Sequence, residues 1–344
     1  PVPITRCINT PRNGDCHEME YRKLGRTGIS VSSLCLGTAF RAQDDEATCI
    51  RVIDRAIELG CTFIDTAIYG EGRSEEIVGK ALKDKRDEVV LCTKVLNSLG
   101  TGPNRNGLSR LNVMRAVEAS LDRLQTDHID LYLLHSFDPQ TPLEETLRAL
   151  DDLVLQGKVR YIGCSNFRAW KVMEALWTSD ANNLHSFVCI QDQYNLINRW
   201  ELEPDMMPLC REQGIGIMPY SPLAIGLLTG HYRRGQEPPV GTVWSKTEGR
   251  GLSAHKYNFE EAMTEHVDGI VQALIDIGQA HDKTPAQVAL AWLLDHSEVT
   301  APIVGADLPE HVDDAFGAAD WRLKCEDRAR LDEVSTLQGP KKYA

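Results

Sequence analysis

Two kinds of hydrophobic pattern alternate along most of the chain. Residues 44–60 have apolar positions at helical spacing and end at Gly60, the residue type that most often follows a helix. The next segment, CTFIDTA, is a short apolar run that predicts a buried strand. The two patterns then recur in turn along the chain, which is typical of an α/β protein with a parallel sheet.

The number of these units predicts the architecture. The strands are nearly continuous in apolar residues, as in a sheet covered on both faces, and eight strand–helix units favour a closed (β/α)8 TIM barrel. A β-hairpin with its turn at residues 25–28 is predicted before the barrel, and extra helices after it. An open doubly wound sheet would need a G-x-G-x-x-G turn after the first strand, and SLCLGTAF has none. The predicted barrel strands are SLCLG, CTFIDTA, EVVLCTKV, HIDLYLLH, VRYIGCSN, FVCIQDQYN, GIGIMPYSPL and TAPIVG.

No flexible linker divides the chain after its first residues. Residues 1–18 are irregular and are predicted to be a leader or a disordered segment, whereas residues 19–344 are predicted to form one domain. Two long helices are predicted at 259–281 and 284–296. Ser74 is predicted to cap the short helix SEEIVGKAL.

The charge balance and the hydropathy disfavour several partners. The chain has 37 Lys and Arg against 50 Asp and Glu, a formal net charge of −13, so phosphates of nucleic acid would repel it. No run approaches the ~18 apolar residues that span a bilayer, and the N-terminus lacks a signal-like apolar core. We therefore expect a cytoplasmic protein without nucleic-acid or membrane partners. Its ten cysteines form no C-x-x-C pair and are predicted to be reduced core thiols.

Polar residues collect where the predicted strands end. In a parallel barrel those ends meet at one mouth, where the chemistry takes place. Asp65 closes the second strand and Tyr69 follows it, while Lys94 closes the third strand and His135 the fourth. Each alone could be structural, but an acid, a phenol, an amine and an imidazole at one mouth indicate a catalytic site. A buried lysine needs a carboxylate partner, and its ammonium would help the phenol to give up a proton.

Long segments resemble the aldo-keto reductase superfamily, most closely the branch with the potassium-channel β subunits and bacterial aldehyde or sugar reductases. The resemblance implies an NAD(P)H-dependent oxidoreductase that interconverts an aldehyde or ketone and its alcohol by hydride transfer. It implies that Tyr69 is the general acid, that Lys94 paired with Asp65 promotes its proton loss, and that His135 orients the carbonyl. The segments that carry it are LGRTGISVSSLCLGT, GCTFIDTAIYGEGRSEEIVGKAL, VLCTKV, LDRLQTDHIDLYLLHSFDPQTPLEETLRALDDLVLQGKVRYIGCSNF and GIGIMPYSPLAIGLLTG.

The resemblance also implies an extended dinucleotide across the mouth. Tyr220 would stack on the nicotinamide ring, and Thr38 would lie near a ribose. The other residues expected to contact the cofactor are Ser165, Asn166 and Gln191 at the carboxamide, Ser221, Pro222, Leu223, Ala224 and Gly226 over the pyrophosphate, and Gly305, Asp307, His311 and Asp314 at the adenosine end.

The adenosine end departs from the family pattern. Relatives that use the phosphorylated cofactor usually carry Ser, Arg or Lys in the loop after the eighth strand, whereas here it reads VGADLPEHVDDAF. The carboxylate of Asp307 would repel a 2′-phosphate and accept a hydrogen bond from a 2′-hydroxyl. We therefore expect NADH to be preferred to NADPH, unless Arg233 or Arg234 reaches the phosphate from the loop after the seventh strand.

The substrate is expected to be a small carbonyl compound or alcohol. Phe40, Phe137 and Trp244 would line the mouth, with the alternative that Trp244 anchors its loop; aldehydes, ketones, sugars and steroid-like rings suit such a mouth about equally. A cofactor-loaded regulatory subunit is the second hypothesis, against which the retained His135 argues. A metal-dependent hydrolase is the third, but the sequence lacks the clustered ligands for it, so no metal is expected. A homo-oligomer is possible.

Overall fold

Eight parallel strands form the ring at the centre of the fold. The computed structural model describes residues 19–41, 43–96, 100–240, 242–245 and 258–336. The ring runs in chain order from β3 to β10, and β10 pairs with β3. Ile217 of β9 pairs with Val299, just before β10, which completes the ring. The strands are β1 (Tyr21–Lys23), β2 (Ser30–Ser32), β3 (Cys35–Gly37), β4 (Phe63–Asp65), β5 (Val90–Val95), β6 (Ile129–Leu134), β7 (Val159–Ser165), β8 (Cys189–Gln193), β9 (Gly216–Tyr220) and β10 (Ile303–Gly305).

Helices follow the ring strands along the chain. The side chains that begin several of them are good caps: Asp45 accepts the Thr48 N–H at 3.0 Å, and Ser109 and Thr284 make equivalent bonds. The helices are α1 (Glu46–Glu58), α2 (Arg73–Ala81), α3 (Arg110–Leu124), α4 (Leu143–Leu155), α5 (Ala169–Ala181), α6 (Met206–Gln213), α7 (Phe259–Ala262), α8 (Glu265–His281), α9 (Pro285–Leu294), α10 (Pro309–Phe316) and α11 (Cys325–Val334).

The ring strands bury both of their faces. Along β6, Leu131 and Leu133 belong to the apolar cluster inside the ring, whereas Tyr132 and Leu134 belong to the cluster between strands and helices. This alternation is the period-two geometry of a strand, and it explains the nearly continuous apolar runs in the sequence. It also determines which residue at each strand end faces the mouth.

The N-terminal hairpin closes the end of the ring at which the strands begin, opposite the mouth. β1 and β2 pair antiparallel, and Leu24 and Val31 are fully buried in the cluster inside the ring. Gly25 has φ +52°, and a Cβ there would lie 2.4 Å from the carbonyl oxygen of Val188. Only glycine fits that position, so the turn can rest directly on the strand backbones.

The predicted (β/α)8 barrel and its hairpin are confirmed, with two local corrections. The helix predicted over 259–281 is two helices, because Thr264 caps a new one at the Val267 N–H. Ser74 does not cap α2, which begins after Gly72 at φ +96°. The Ser74 hydroxyl is instead buried and bonds Thr66 Oγ1 at 2.8 Å. In the part of the chain described, no helix is long and apolar enough to cross a membrane.

The cysteine prediction is confirmed at most of the described positions. Cys325 is exposed at the start of α11 and is disulfide-bonded, so the prediction of a reduced core thiol is wrong there. Cys7, Cys16 and the predicted leader at 1–18 lie outside the described residues. The buried free thiols are Cys35, Cys49, Cys61, Cys92, Cys164, Cys189 and Cys210.

Two helical glycines provide a matched test of helix packing. A Cβ on Gly79 of α2 would lie 2.6 Å from the Arg123 carbonyl oxygen of α3, whereas a Cβ on Gly269 of α8 would meet nothing within 4 Å. We expect Gly79→Ala to lower the free energy of unfolding by about 1–3 kcal/mol through overpacking. Gly269→Ala should raise it by about 0.5–1 kcal/mol through helix propensity. Urea denaturation measures both, and changes of the same sign would contradict the described packing.

Candidate active site

A buried ion pair lies at the mouth of the ring. Lys94 Nζ contacts both carboxylate oxygens of Asp65 at 2.7 Å and donates to the Thr66 carbonyl oxygen at 2.9 Å. Both charged residues are less than 5% exposed. Burial alone would lower the pKa of Lys94, but the Asp65 carboxylate, followed by Tyr69, raises it above the usual lysine value. Lys94 is therefore an ammonium at any physiological pH.

Neighbouring strands hold Asp65 in position. Thr38, at the end of β3, donates its backbone N–H to the Asp65 carbonyl oxygen at 2.9 Å. Gln191 of β8 reaches across the ring and donates to Asp65 Oδ1 at 2.8 Å. The pair therefore depends on residues from β3, β4, β5 and β8.

Tyr69 and His135 lie beside this pair. The Tyr69 ring centroid is 5.7 Å from Lys94 Nζ and 6.0 Å from the His135 ring, with the two rings nearly perpendicular. Burial lowers the pKa of His135 to about 4, and the Lys94 ammonium lowers it too, against the opposing effect of Asp65. At neutral pH the imidazole is therefore uncharged. The structure thus brings together all four residues predicted as catalytic.

The residues predicted to grip the carboxamide form a second group around Asn166. Asn166 lies in the left-handed region at φ +57° and donates through Nδ2 to Ser165 Oγ and the His135 carbonyl oxygen, both at 2.9 Å. Tyr220 donates its hydroxyl to Asn166 Oδ1 at 2.9 Å. Burial, followed by nearby acidic groups, raises the pKa of Tyr220 to about 12, so it remains a donor.

Sequence reasoning missed two residues that hold these loops. Asp192 accepts the Asn166 backbone N–H at 2.7 Å and thereby supports its left-handed conformation. Asn195 is buried and donates to the Ser221 carbonyl oxygen at 2.9 Å. Both follow Gln191 in the motif QDQYN. The acidic residue directly after Gln191 was the one sequence feature that could have indicated Asp192.

The loop after β9 is folded in a strained conformation. Ser221, Ala224 and Ile225 have positive φ without being glycine, and Gly226 follows at φ +85°. Such strain costs free energy and persists where surrounding structure enforces it, commonly at ligand sites. Trp244 donates Nε1–H to the Ile225 carbonyl oxygen at 2.9 Å, which supports this conformation.

The predicted adenosine-end residues are spread along β10 and α10. Gly305 and His311 are exposed, and Asp307 is half-buried, with its carbonyl oxygen accepting from Gln43 at 3.2 Å. Asp314 faces α9, where it accepts the Thr284 hydroxyl at 2.7 Å. Asp314 therefore links two helices, and its contact with a cofactor stays a prediction, as do those of the other residues.

The residues predicted to contact substrate occupy different environments. Phe137 is half-buried at the mouth and packs edge-to-face on Phe167, with ring centroids 5.5 Å apart. Phe40 is buried with φ +43°, and Trp244 is only 4% exposed. Trp244 has the arrangement of a loop anchor, the alternative role considered for it. Substrate contact by the three aromatic residues stays a prediction.

The chain belongs to the aldo/keto reductase family, whose model matches residues 33–336. A protein of Bacillus subtilis (strain 168) named as an uncharacterized oxidoreductase is 36% identical, covering 95% of this chain and 100% of its own length. A probable voltage-gated potassium channel subunit beta of Arabidopsis thaliana is 33% identical, covering 88% of this chain and 92% of its own. The versiconal hemiacetal acetate reductase of Aspergillus parasiticus is 34% identical, covering 92% and 96%.

Family membership confirms the predicted class of protein. The chain is an oxidoreductase of a family that uses nicotinamide cofactors on small carbonyl compounds. The resemblance to the channel-subunit branch is likewise confirmed by the relatives it matches.

The raised pKa of Asp192 can be tested through the pH dependence of protein stability. Burial raises its pKa to about 7, and the Glu201 carboxylate also raises it, against the lowering effect of the Asn166 N–H. Between the ordinary aspartate pKa and this value, the folded state binds more protons than the unfolded state, so stability falls as pH rises. Asp192→Asn keeps the acceptor oxygen but removes the titration. Its stability relative to wild type should therefore grow from pH 4 to pH 8, on the order of 2 kcal/mol after allowance for partial solvent contact.

Urea denaturation at several pH values measures this difference. The matched control is Asp84→Asn, which makes the same substitution at an exposed turn. A pH-independent difference between Asp192→Asn and wild type would contradict the titration.

Proposed function

We propose that this protein reduces the carbonyl group of a small aldehyde or ketone to the alcohol, and catalyses the reverse reaction, through the four residues at the mouth. The observation that carries the proposal is the Lys94–Asp65 pair, with the ammonium 5.7 Å from the Tyr69 ring centroid. A nicotinamide cofactor, when bound, would supply or accept the hydride. The chain's own residues then have to move one proton and stabilise the charge on the substrate oxygen.

Tyr69 is the proton donor in this proposal. Its hydroxyl protonates the substrate oxygen, and the charge left on the phenolate is stabilised by the adjacent Lys94 ammonium. Asp65 keeps Lys94 charged and in place, because a buried ammonium without a carboxylate would lose its proton. Asp65 acts through Lys94 and is therefore a positioning residue.

His135 is the second donor to the substrate oxygen. A neutral imidazole has one N–H, and the low pKa keeps it neutral at neutral pH. This N–H would orient the carbonyl and stabilise the developing alkoxide, in the manner of an oxyanion hole. A carbonyl compound with an apolar ring or chain suits the half-buried Phe137 nearby.

The donor set around Asn166 fits a nicotinamide carboxamide. The Ser165 hydroxyl can donate, the Gln191 side-chain oxygen can accept, and Tyr220 presents an aromatic ring at the same rim. The loop at Ser221–Gly226 has a strained backbone, of the kind common at ligand sites, and would lie over the pyrophosphate. These residues would hold the cofactor. Thr38 is fully buried and donates its hydroxyl to the Asp65 carbonyl oxygen at 3.1 Å, so its contact with a ribose stays a prediction.

We further propose that NADH is preferred to NADPH. The Asp307 carboxylate disfavours a 2′-phosphate. Arg233, which could otherwise neutralise that phosphate, is committed to Asp268, with contacts at 2.8 and 3.1 Å. Releasing Arg233 would break its ion pair with Asp268.

A second candidate is a cofactor-loaded binding subunit, since several relatives are named as potassium-channel subunits. The complete set of Asp65, Tyr69, Lys94 and His135 favours turnover. Measured turnover of a carbonyl compound separates the two candidates.

Tyr69→Phe tests the role of the phenol. We expect kcat for reduction of an aromatic aldehyde to fall by about 10²–10⁴-fold, because the proton donor is lost. The affinity for reduced cofactor, measured by fluorescence titration, should stay within about twofold, a change worth under 1 kcal/mol.

Tyr132→Phe is the matched control. Tyr132 is buried in β6, and its hydroxyl has no hydrogen-bond partner in the described structure. Its removal should leave kcat unchanged. Full activity of Tyr69→Phe would contradict the proposed mechanism.

Asp307→Ser tests the cofactor preference. Removing the carboxylate should raise the affinity for NADPH by about 5–20-fold, equivalent to about 1–2 kcal/mol, with little change for NADH. Asp313→Ser, at an exposed residue that pairs with Arg55 on α1, is the control and should leave the ratio unchanged. Tighter binding of NADPH than NADH by the unaltered protein would overturn the proposed preference.

A further inference from the structure

The first turn of α2 holds two polar side chains in the interior of the fold. Ser74 is only 2% exposed and Glu75 is fully buried, although both residue types usually lie at protein surfaces. Neither side chain caps the helix, which begins after Gly72 without a side-chain cap. Buried polar groups need hydrogen-bond partners. The partners of Ser74 and Glu75 therefore show what the start of α2 holds in place.

Glu75 anchors α2 to the strand that carries Lys94. Its carboxylate accepts from Thr93 Oγ1 at 2.6 Å and from Arg123 Nε at 2.8 Å. Thr93 lies in β5 directly before Lys94, and Arg123 belongs to α3. A buried carboxylate with a charged and a neutral donor is held rigidly. The start of α2 is therefore fixed relative to the backbone of Lys94.

Ser74 connects this fixed helix to both ends of residues 66–69. The Ser74 hydroxyl donates its hydrogen to the Thr38 carbonyl oxygen. Because a hydroxyl has one hydrogen, the Thr66 hydroxyl is the donor in its 2.8 Å bond with Ser74 Oγ. The Ser74 backbone N–H donates to the Tyr69 carbonyl oxygen at 3.3 Å. One residue of α2 therefore holds the first and the last residue of this segment.

Residues 66–69 carry one contact of Lys94 and the phenol itself. The Thr66 carbonyl oxygen accepts from Lys94 Nζ at 2.9 Å, and the Tyr69 ring centroid lies 5.7 Å from the same nitrogen. The Tyr69 N–H donates to the Ala67 carbonyl oxygen at 2.7 Å, so the backbone between them makes a tight turn. The position of this segment therefore sets the separation between the ammonium and the phenol.

We propose that Ser74 is a positioning residue for carbonyl reduction, which holds residues 66–69 so that the Tyr69 phenol stays beside the Lys94 ammonium. The inference rests on the proposed function, because it gives Ser74 a part in the proton transfer from Tyr69. Ser74 acts through Thr66 and Tyr69 and donates no proton to the substrate itself. A displacement of about 1 Å at a reacting group can slow a reaction by about 10²-fold, so the placement of the phenol matters.

Ser74→Ala tests the proposal by kinetics. The change removes the hydroxyl that joins Thr38 and Thr66 but keeps the backbone bond to Tyr69. We expect kcat for reduction of an aromatic aldehyde to fall by about 10–100-fold, because the phenol is misplaced for proton transfer. KM for the aldehyde and Kd for the reduced cofactor should stay within about twofold, because Ser74 binds neither molecule.

Ser179→Ala is the matched control. Ser179 of α5 is 1% exposed, and its hydroxyl has no hydrogen-bond partner in the part of the chain that the structure describes. Its removal should leave kcat and KM unchanged. A Ser74→Ala protein that is less stable to urea but has the kcat of the unaltered protein would show that the hydroxyl serves folding alone, and the proposal would be wrong.

Thr66→Val tests the same hydrogen bond from its other side. Valine has the shape of threonine without the hydroxyl, so kcat should again fall while KM stays unchanged. The double variant with Ser74→Ala should be about as slow as Ser74→Ala alone, because both changes break one bond. Effects on kcat that multiply in the double variant would mean that the two hydroxyls act independently, against the proposal.

A crystal structure of Ser74→Ala gives a readout that does not depend on turnover. The distance from Lys94 Nζ to the Tyr69 ring centroid should exceed its present 5.7 Å. An unchanged distance would overturn the positioning role. If the unaltered protein reduced no carbonyl compound, the proposed function would fail, and this distance would still decide whether Ser74 positions Tyr69.

Discussion

The mouth of this barrel is organised around one buried ion pair, Asp65 with Lys94. Both residues are less than 5% exposed. Two charges buried to this extent are stable only when their geometry is good and further hydrogen bonds satisfy them. Here the ammonium contacts both carboxylate oxygens and the Thr66 carbonyl, while Gln191 satisfies the carboxylate from the far side of the ring. Replacing either charge would leave the other buried and unpaired. The pair therefore fixes the relative positions of several strand ends and provides the fixed positive charge that the proposed chemistry requires.

A second constraint is the strained backbone that surrounds the pair. Asn166, Ser221, Ala224 and Ile225 all have positive φ, and all belong to the loops that follow β7 and β9. Each loop has a specific support: Asp192 for the first, and Asn195 with Trp244 for the second. Polar groups that are already held in this way lose little conformational entropy when a ligand binds, so the free-energy cost of ordering them on binding is small.

The unit of β7 and α5 connects the inside of the molecule to its surface. The strand ends at Ser165, which with Asn166 is proposed to contact the cofactor, and the helix that follows exposes Trp170 and Trp177 to solvent. Lys171 of α5 lies 4.7 Å from the ring centroid of Phe137 at the mouth and 4.5 Å from that of Trp170 on the outer face. The Lys171 side chain therefore lies between the mouth of the barrel and the outer face of α5.

The sequence by itself determined the barrel, the hairpin and the identity of the four residues at the mouth. The spacing of apolar residues along a segment indicates whether it forms a strand or a helix. In a parallel barrel every strand ends at the same rim, so a residue at a predicted strand end is expected at the mouth. Ser74, Asp192 and Asn195 could not be assigned this way, because their roles depend on which loop lies against which. Ser74 has the residue type of a cap, yet the helix begins after Gly72, and the Ser74 hydroxyl bonds Thr38 and Thr66, which directly follow β3 and β4. Only the tertiary structure decided such contacts, since they join residues far apart in the chain and leave no periodic signal in it.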